Sequence, residues 1–234
     1  MTLTGFNTAQ ANTSFTMPVN NVTLTAKWRE RAEDGCAAQV TQDGGTRNYV
    51  TLEDAWTAAQ SATTATVTLL TDASTGGLTM SGGDITLNCG GHTLTGTGDS
   101  VIEVTGGNLT VENGTMANAN GYVLDGAGAY SLTVRTNAVL KVPGSSSAIR
   151  MSGDREQKGG TVKVYGTIQG AASCRGIHLH CGTLEVYKGA TISCNGDSYC
   201  SGILVASSVS PKTVKLYGGT FNSGRGDPSG SIEE

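Results

Sequence analysis

The chain has 234 residues, of which 34 are glycine, and its formal net charge at pH 7 is −4. Charged residues make up 15% of the chain and aromatic residues 5%. With no basic patch and no long apolar run, we expect neither a nucleic-acid partner nor insertion into a membrane. Apolar residues recur at regular intervals among Gly, Thr, Ser and Asn, which argues against disorder and favours strands joined by tight turns.

The first 28 residues contain three short motifs: GF at 5–6, FTMP at 15–18 and VTLTAKW at 22–28. Together they resemble the C-terminal half of a small repeat found in cell-wall proteins of Gram-positive, especially gut, bacteria. The first strands of that repeat are missing. The resemblance implies a partial surface-repeat module at 1–28 and an extracellular, cell wall-associated protein. An isolated β-hairpin with a buried Trp28 is the alternative interpretation.

Residues 29–50 are polar and irregular and are predicted to form a linker. Thr51 is a favourable N-cap residue, with Asp54 three positions later, and predicts that a helix begins there. The apolar face of this helix would contain Leu52, Ala55, Trp56 and Ala59. Because a solenoid must cover the open end of its core, we predict that 51–72 form an N-terminal cap closed by Trp56.

Residues 73–222 repeat one motif, in which two apolar residues two positions apart precede a Gly or Asn turn and another apolar residue. The lead residues lie 22 to 30 positions apart: Ile85, Leu109, Leu132, Val162, Leu184 and Val214. A second strand motif lies between them, led by Ile102, Val123, Ile149, Ile177 and Ile203. Short strands at this interval are typical of a solenoid. We predict an all-β fold, a right-handed parallel β-helix with a short N-terminal capping helix, and we expect 223–234 to be the C-terminal tail of a truncated chain.

The segments YVTLEDAW at 49–56, TVTLLTD at 66–72 and ITLNCGGHTLTG at 85–96 carry a second resemblance. They are similar to the start of right-handed parallel β-helix domains in secreted proteins of gut bacteria, within the pectate-lyase-like superfamily. The resemblance covers 49–221. It implies the fold but not the activity, since this architecture carries lyases, hydrolases and non-catalytic adhesins.

Three consecutive coils have a tyrosine at the same outward position: Tyr165, Tyr187 and Tyr217. A neighbouring outward column is charged and contains Lys163, Glu185 and Lys215. The rings either simply pack on one another along the strand surface or form a platform for a flat ligand such as a sugar ring. This surface is the best ligand-binding candidate in the sequence.

Lyases and glycoside hydrolases need carboxylates grouped on one face, to bind Ca²⁺ or to act as a paired acid and base. The acidic residues are interpreted as scattered, with no two in one outward column of adjacent coils at the right spacing for a pair: Glu103, Glu112, Asp125, Asp154, Glu156, Glu185 and Asp197. The charged insertion at 152–160 is interpreted as a solvated turn. We therefore predict no catalytic residue and no cofactor, and favour a non-catalytic adhesin or stalk that binds a glycan or a host surface protein. A carbohydrate-active enzyme, either a polysaccharide lyase or a glycoside hydrolase, is the alternative.

His178 and His180 are predicted to face outward together on one strand. A His-x-His pair can bind a metal ion, but the sequence sets no third ligand, so no metal site is predicted. After the last coil, Arg225, Gly226 and Asp227 match the tripeptide that host integrins recognise. Such short matches also arise by chance, so adhesion through them is a minor hypothesis.

Six cysteines occur in the chain. Cys174 and Cys200 each lie three residues before a lead isoleucine, so they would occupy equivalent positions in adjacent coils about 5 Å apart. A Cys174–Cys200 disulfide is the preferred prediction, and Cys194–Cys200 is the alternative. The other cysteines are expected to lie outside any disulfide and to pack as small apolar residues: Cys36, Cys89 and Cys181.

Overall fold

The structure is a computed structural model that describes residues 35–144, 146–153, 159–171, 174–195, 200–207, 211–223 and 232–233. These residues form one α-helix and 23 strands in three sheets. The surface-repeat module at 1–28 and the tripeptide at 225–227 lie outside the described residues.

The chain winds through three sheets, and each complete coil adds one parallel strand to each of them. Sheet A consists of β1 (Ala38–Gln42), β2 (Gly45–Tyr49), β3 (Thr64–Leu69), β6 (Asp84–Asn88), β9 (Gly107–Glu112), β12 (Tyr130–Val134), β15 (Thr161–Val164), β18 (Gly182–Val186) and β21 (Lys212–Leu216). Sheet B consists of β4 (Ala73–Thr75), β7 (Thr93–Gly96), β10 (Gly114–Asn118), β13 (Ala138–Val142), β16 (Thr167–Gly170), β19 (Thr191–Cys194) and β22 (Thr220–Ser223). Sheet C consists of β5 (Leu78–Met80), β8 (Ser100–Val104), β11 (Tyr122–Ala127), β14 (Ser147–Ser152), β17 (Arg175–Leu179), β20 (Ser201–Val205) and β23 (Ile232–Glu233). Within the described ranges the coil therefore repeats seven times, with three strands in each coil.

The predicted parallel β-solenoid is confirmed by the register of sheet A. The lead residues of the first motif pair coil by coil, from Ile85 with Leu109 to Leu184 with Val214. Their side chains are buried except that of Val214, which is partly buried in the last coil. Stacking like residues over one another thus buries a continuous core that no single coil could form.

The alignment of the second motif is wrong by one residue at Val123. Ile102 pairs with Leu124, and Leu124 pairs with Ile149. Val123 and Leu124 are both fully buried, because the residues just before the sheet C column also pack inward, as Val101 does against Gly96. Two adjacent buried residues leave the period-2 pattern ambiguous at this coil.

The N-terminal end of the core is covered by α1 (Leu52–Gln60). Thr51 is the N-cap, and its Oγ1 accepts a hydrogen bond of 3.2 Å from the Asp54 backbone N–H. Trp56 is 2% exposed, and its Nε1 donates a 2.9 Å hydrogen bond to the Thr79 carbonyl. All the predicted apolar residues of the helix are buried: Leu52, Ala55, Trp56 and Ala59.

Residues 38–49, which the sequence analysis assigned to the linker, form instead an antiparallel hairpin. β1 pairs with β2 and also, antiparallel, with β3, so the hairpin extends sheet A at the capped end. Its turn is Asp43–Gly44, with φ values of 51° and 74°. A two-residue Asp-Gly loop with positive φ at both positions matches the twist of a hairpin.

No helix in the described part of the chain has both the length and the apolar character needed to cross a membrane.

Candidate functional site

The tyrosine ladder (Tyr165, Tyr187 and Tyr217) lies on the outer face of sheet A, one residue beyond the ends of β15, β18 and β21. The backbone fixes its spacing. The N–H of each tyrosine donates a hydrogen bond of 2.8 to 3.0 Å to a valine carbonyl in the preceding coil, at Val134, Val164 and Val186 respectively. Each ring is therefore held one coil from the next.

The three rings stack on one another. The ring centroids of Tyr165 and Tyr187 are 4.3 Å apart with an interplanar angle of 11°, and those of Tyr187 and Tyr217 are 5.0 Å apart at 26°. Such stacked pairs contribute about 0.5–1.5 kcal/mol each beyond area burial. The stack also covers ring faces, so Tyr165 and Tyr187 are partly buried, whereas Tyr217 is 57% exposed. Among the described residues, the ladder offers its most open ring at Tyr217.

The predicted charged column lies beside the tyrosines. Lys163 pairs in register with Glu185, and Glu185 with Lys215. Lys215 Nζ donates to Glu185 Oε1 at 3.0 Å, and Tyr187 Oη donates to Glu185 Oε2 at 2.8 Å. Glu185 therefore joins the two columns.

Electrostatics keep this carboxylate ionised. The hydrogen bond from Tyr187, followed by the one from Lys215, lowers the pKa of Glu185. The same contacts raise the pKa of Tyr187 and the pKa of Lys215. At neutral pH the surface thus presents a carboxylate, an ammonium group and an exposed aromatic ring within one small area.

A second group of polar side chains, which the sequence analysis did not bring together, lies on the outer face of sheet C. Glu103 pairs with Asp125, Asp125 with Arg150, and Arg150 with His178, in a single column over four coils. The expectation that no two acidic residues share an outward column is wrong for Glu103 and Asp125. The error has the same cause as that at Val123, since a shift of one residue moves Asp125 out of the column.

Asp125 is 8% exposed and is bound at both carboxylate oxygens by Arg150. Arg150 Nε donates to Oδ1 at 2.7 Å and Nη2 donates to Oδ2. Arg150 Nη1 donates to Tyr122 Oη at 3.1 Å, and the guanidinium carbon lies 4.1 Å from the centre of the Tyr122 ring. The hydrogen bond to Asp125 raises the pKa of Arg150. This bidentate pair fixes both side chains, which marks it as a structural pair.

His178 and His180 face outward together, as predicted. His180 Nε2 and His178 Nδ1 are 3.2 Å apart. Burial, then electrostatic repulsion by His180, Arg175 and Arg150 against a protonated ring, lowers the pKa of His178 to about 4, and burial also lowers the pKa of His180. Both imidazoles are therefore neutral at pH 7. Neither belongs to a group of three metal-ligating side chains within the described part of the chain, where a single such group occurs, the cysteine cluster (Cys174, Cys194 and Cys200).

The disulfide joins Cys194 to Cys200, with the two Cα atoms 5.6 Å apart. The preferred prediction, Cys174–Cys200, is not the bridge that forms. Cys174 and Cys200 do occupy equivalent positions, since Arg175 pairs with Ser201. However, Cys194, the last residue of β19, lies within disulfide distance of Cys200 and is the residue bonded to it. The cysteines outside the disulfide are all buried: Cys36, Cys89, Cys174 and Cys181. Burial raises the pKa of the Cys89 thiol to about 12.

No protein-family model, curated protein or solved structure matches the chain. The three stacked parallel sheets support the resemblance to parallel β-helix domains at the level of the fold alone.

Of the acidic residues named from the sequence, Asp154, Glu156 and Asp197 lie outside the described residues.

Proposed function

We propose that this chain is a non-catalytic, extracellular binding segment of a bacterial cell-surface protein, and that the tyrosine ladder holds a carbohydrate. The observation that carries the proposal is the open ring of Tyr217 at the end of a stacked aromatic column, beside Glu185 and Lys215. The C–H face of a sugar ring packs well on an aromatic face.

The charged column supplies the polar half of such a site. Each oxygen of Glu185 accepts one hydrogen bond, from Lys215 or from Tyr187, and a carboxylate oxygen has a further lone pair to accept one from a sugar hydroxyl. Lys215 carries three N–H donors, of which one is engaged by Glu185. A sugar on Tyr217 would therefore meet both acceptors and donors.

The surface location rests on two features. The VTLTAKW motif at 22–28 resembles the end of a cell-wall repeat, and a disulfide such as Cys194–Cys200 persists mainly in oxidising surroundings outside the cytosol. The proposal therefore places the chain as an adhesin or stalk of a wall protein with a pectate-lyase-like β-helix. Binding of a host surface protein through Arg225, Gly226 and Asp227 is a separate hypothesis.

The alternative is a carbohydrate-active enzyme, and the alignment of Glu103 with Asp125 favours it. Stacked positions lie about 4.8 Å apart, close to the roughly 5–5.5 Å between the two carboxylates of a retaining glycosidase. However, Arg150 binds both Asp125 oxygens in a bidentate ion pair. This pair neutralises the carboxylate and fixes its position, so Asp125 is not a free base or nucleophile, and binding without turnover is the better-supported function.

The test is a glycan array followed by calorimetric titration of the bound glycan with wild type, Y217A and Y165A. We expect Y217A to weaken binding roughly twofold to tenfold, since one aromatic stacking contact contributes about 0.5–1.5 kcal/mol. Y165A removes a ring of the same ladder two coils away and should bind within twofold of wild type. Equal binding by wild type and Y217A would show that the ladder is not the site.

A parallel assay decides between binding and catalysis. The bound glycan is incubated with the protein, with and without Ca²⁺, and its products are measured by ultraviolet absorbance for a lyase and by reducing ends for a hydrolase. We expect no turnover. Turnover that is lost in both E103Q and D125N would establish the enzyme in place of the adhesin.

A further inference from the structure

The cysteine cluster brings three sulfur atoms together between the fifth and sixth coils. The three Sγ atoms lie within 4.8 Å of one another, and all three residues are buried. Cys194 and Cys200 form the disulfide, and the Sγ of the Cys174 thiol is 3.8 Å from that of Cys194. A thiol in van der Waals contact with a disulfide is the arrangement from which thiol–disulfide exchange begins.

The surroundings of the three sulfurs suit more than one pairing. The Ala171 carbonyl accepts a hydrogen bond from the Cys174 thiol. The same oxygen lies 3.6 Å from Cys194 Sγ and 3.5 Å from Cys200 Sγ. It is therefore placed to accept a hydrogen bond from whichever sulfur carries the proton.

The two bridges available to Cys194 connect different parts of the fold. The bridge to Cys200 closes a segment of the sixth coil, since both cysteines belong to that coil. Cys174 belongs to the fifth coil, just before β17, so a Cys174–Cys194 bridge would join two coils covalently. The residues of these coils are otherwise held together by the hydrogen bonds of three strand pairs, which are β15 with β18, β16 with β19 and β17 with β20.

We propose that Cys174 is an internal exchanging cysteine of this solenoid. Its thiolate attacks Cys194 Sγ, a Cys174–Cys194 bond forms as the Cys194–Cys200 bond breaks, and Cys200 leaves as a thiolate. Cys200 then takes up the proton that Cys174 released, so the reaction needs neither an oxidant nor a reductant. Cys174 Sγ lies within 4.8 Å of both disulfide sulfurs, so it sits beside the bond, and the attack requires this side chain to rotate into line with the bond.

Two opposing effects set the rate of this step. Burial raises the pKa of the Cys174 thiol, whereas its backbone hydrogen bonds and the positive charge of Arg175 lower it. Burial is the larger effect, so the thiolate is scarce at neutral pH and the exchange is expected over hours. Incubation at about pH 8.5, the pKa of an unperturbed thiol, increases the thiolate fraction.

The experiment uses the folded, full-length chain without added reductant. Samples are incubated at about pH 8.5, quenched with acid at intervals, alkylated, digested without reduction and analysed by mass spectrometry. We expect peptides bridged through Cys194–Cys200 and, increasing with time, peptides bridged through Cys174–Cys194 with Cys200 alkylated. In C174S only the Cys194–Cys200 bridge should remain, and in C89S, which removes a buried thiol elsewhere, the wild-type distribution should persist.

Two results would overturn the proposal. One is a wild-type digest that contains only the Cys194–Cys200 bridge after the longest incubation. The other is wild-type exchange that also includes Cys36, Cys89 or Cys181, because this pattern would come from unfolded chains. Both results are measured on the wild-type protein, so a variant that fails to fold does not affect the test of the proposal.

Discussion

Tyr130 is packed so tightly that two neighbouring positions must be glycine. A Cβ built on Gly126 would lie 2.0 Å from the Tyr130 ring, and one on Gly160 would lie 2.5 Å from it. The ring is almost completely buried, and its hydroxyl has no hydrogen-bond partner within the described part of the chain. A buried hydroxyl without a partner loses its hydrogen bonds to water and forms no hydrogen bond within the protein to replace them.

Replacing Tyr130 by phenylalanine should therefore stabilise the protein by about 1 kcal/mol, since the cost of the buried hydroxyl disappears. The matched control is Y122F, because the Tyr122 hydroxyl accepts a hydrogen bond from Arg150. Y122F should instead destabilise the fold by about 1–2 kcal/mol. Urea unfolding of both variants measures the difference, and a loss of stability in Y130F equal to that in Y122F would contradict the prediction.

His178 predicts a specific dependence of stability on pH. Its pKa is about 4 in the folded chain, below the ordinary value of 6.5. The unfolded chain therefore takes up the proton first, so the contribution of neutral His178 is complete above about pH 6.5 and is lost as the pH falls towards 4. Burial is the main cause of this lowered pKa, and it is assisted by His180 directly after β17, by Arg175 on β17 and by Arg150 on β14, while Leu204 faces His178 from β20.

H178Q should accordingly lose less stability than wild type between neutral pH and about pH 4. Urea midpoints at a series of pH values measure how the stability of wild type and of H178Q changes with pH. Parallel curves for wild type and H178Q would show that the imidazole is not kept neutral by its surroundings.

At the scale of single elements, the capping helix depends on one side chain at its start. Thr51 Oγ1 satisfies the backbone N–H of Asp54, one of the donors that a helix leaves unpaired in its first turn. T51A should destabilise the protein by about 1 kcal/mol. T57A is the matched control, since Thr57 lies in the same helix and its hydroxyl donates a hydrogen bond to the Glu53 carbonyl. T57A should change the free energy of unfolding by no more than about 0.5 kcal/mol.

Urea midpoints of T51A and T57A decide this prediction. Equal loss of stability in the two variants would mean that the cap contributes no more than an exposed threonine within the helix.

How far the elements can be predicted depends on the signal each one carries. The helix was predictable because a cap residue precedes an apolar face of period 3.6. The β1–β2 hairpin carried a usable signal in Asp43–Gly44, but its polar strands hid it, since β2 has few apolar residues to set the period. The sheet C column was lost at Val123 because two adjacent buried residues conceal the register. The disulfide could not be chosen from spacing, because Cys174 and Cys194 both lie close enough to Cys200.

For the whole molecule, stability should depend on the position of a residue along the stack. Leu132 lies in the fourth coil and is buried between Leu109 and Val162 of the adjacent coils. Leu216 belongs to the last coil and is 45% exposed. The same substitution therefore removes very different amounts of packing at the two positions.

L132A should destabilise the solenoid by about 3 kcal/mol, within the range for buried leucine, whereas L216A should cost less than about 1 kcal/mol. Chemical denaturation gives both values. A similar loss in the two variants would mean that the last coil is as well packed as the fourth, contrary to the exposure of Leu216.

The direction of the hydrogen bonds also bears on how this protein would respond to mechanical load. The ladders run from coil to coil, so tension applied along the stack pulls directly on them, and each coil is bonded only to its two neighbours. Rupture should then proceed one coil at a time. With 22 to 30 residues between repeats, each event would release about 75–100 Å of extended chain. A segment of this kind would lengthen under shear in small steps, and each step would dissipate part of the applied mechanical energy.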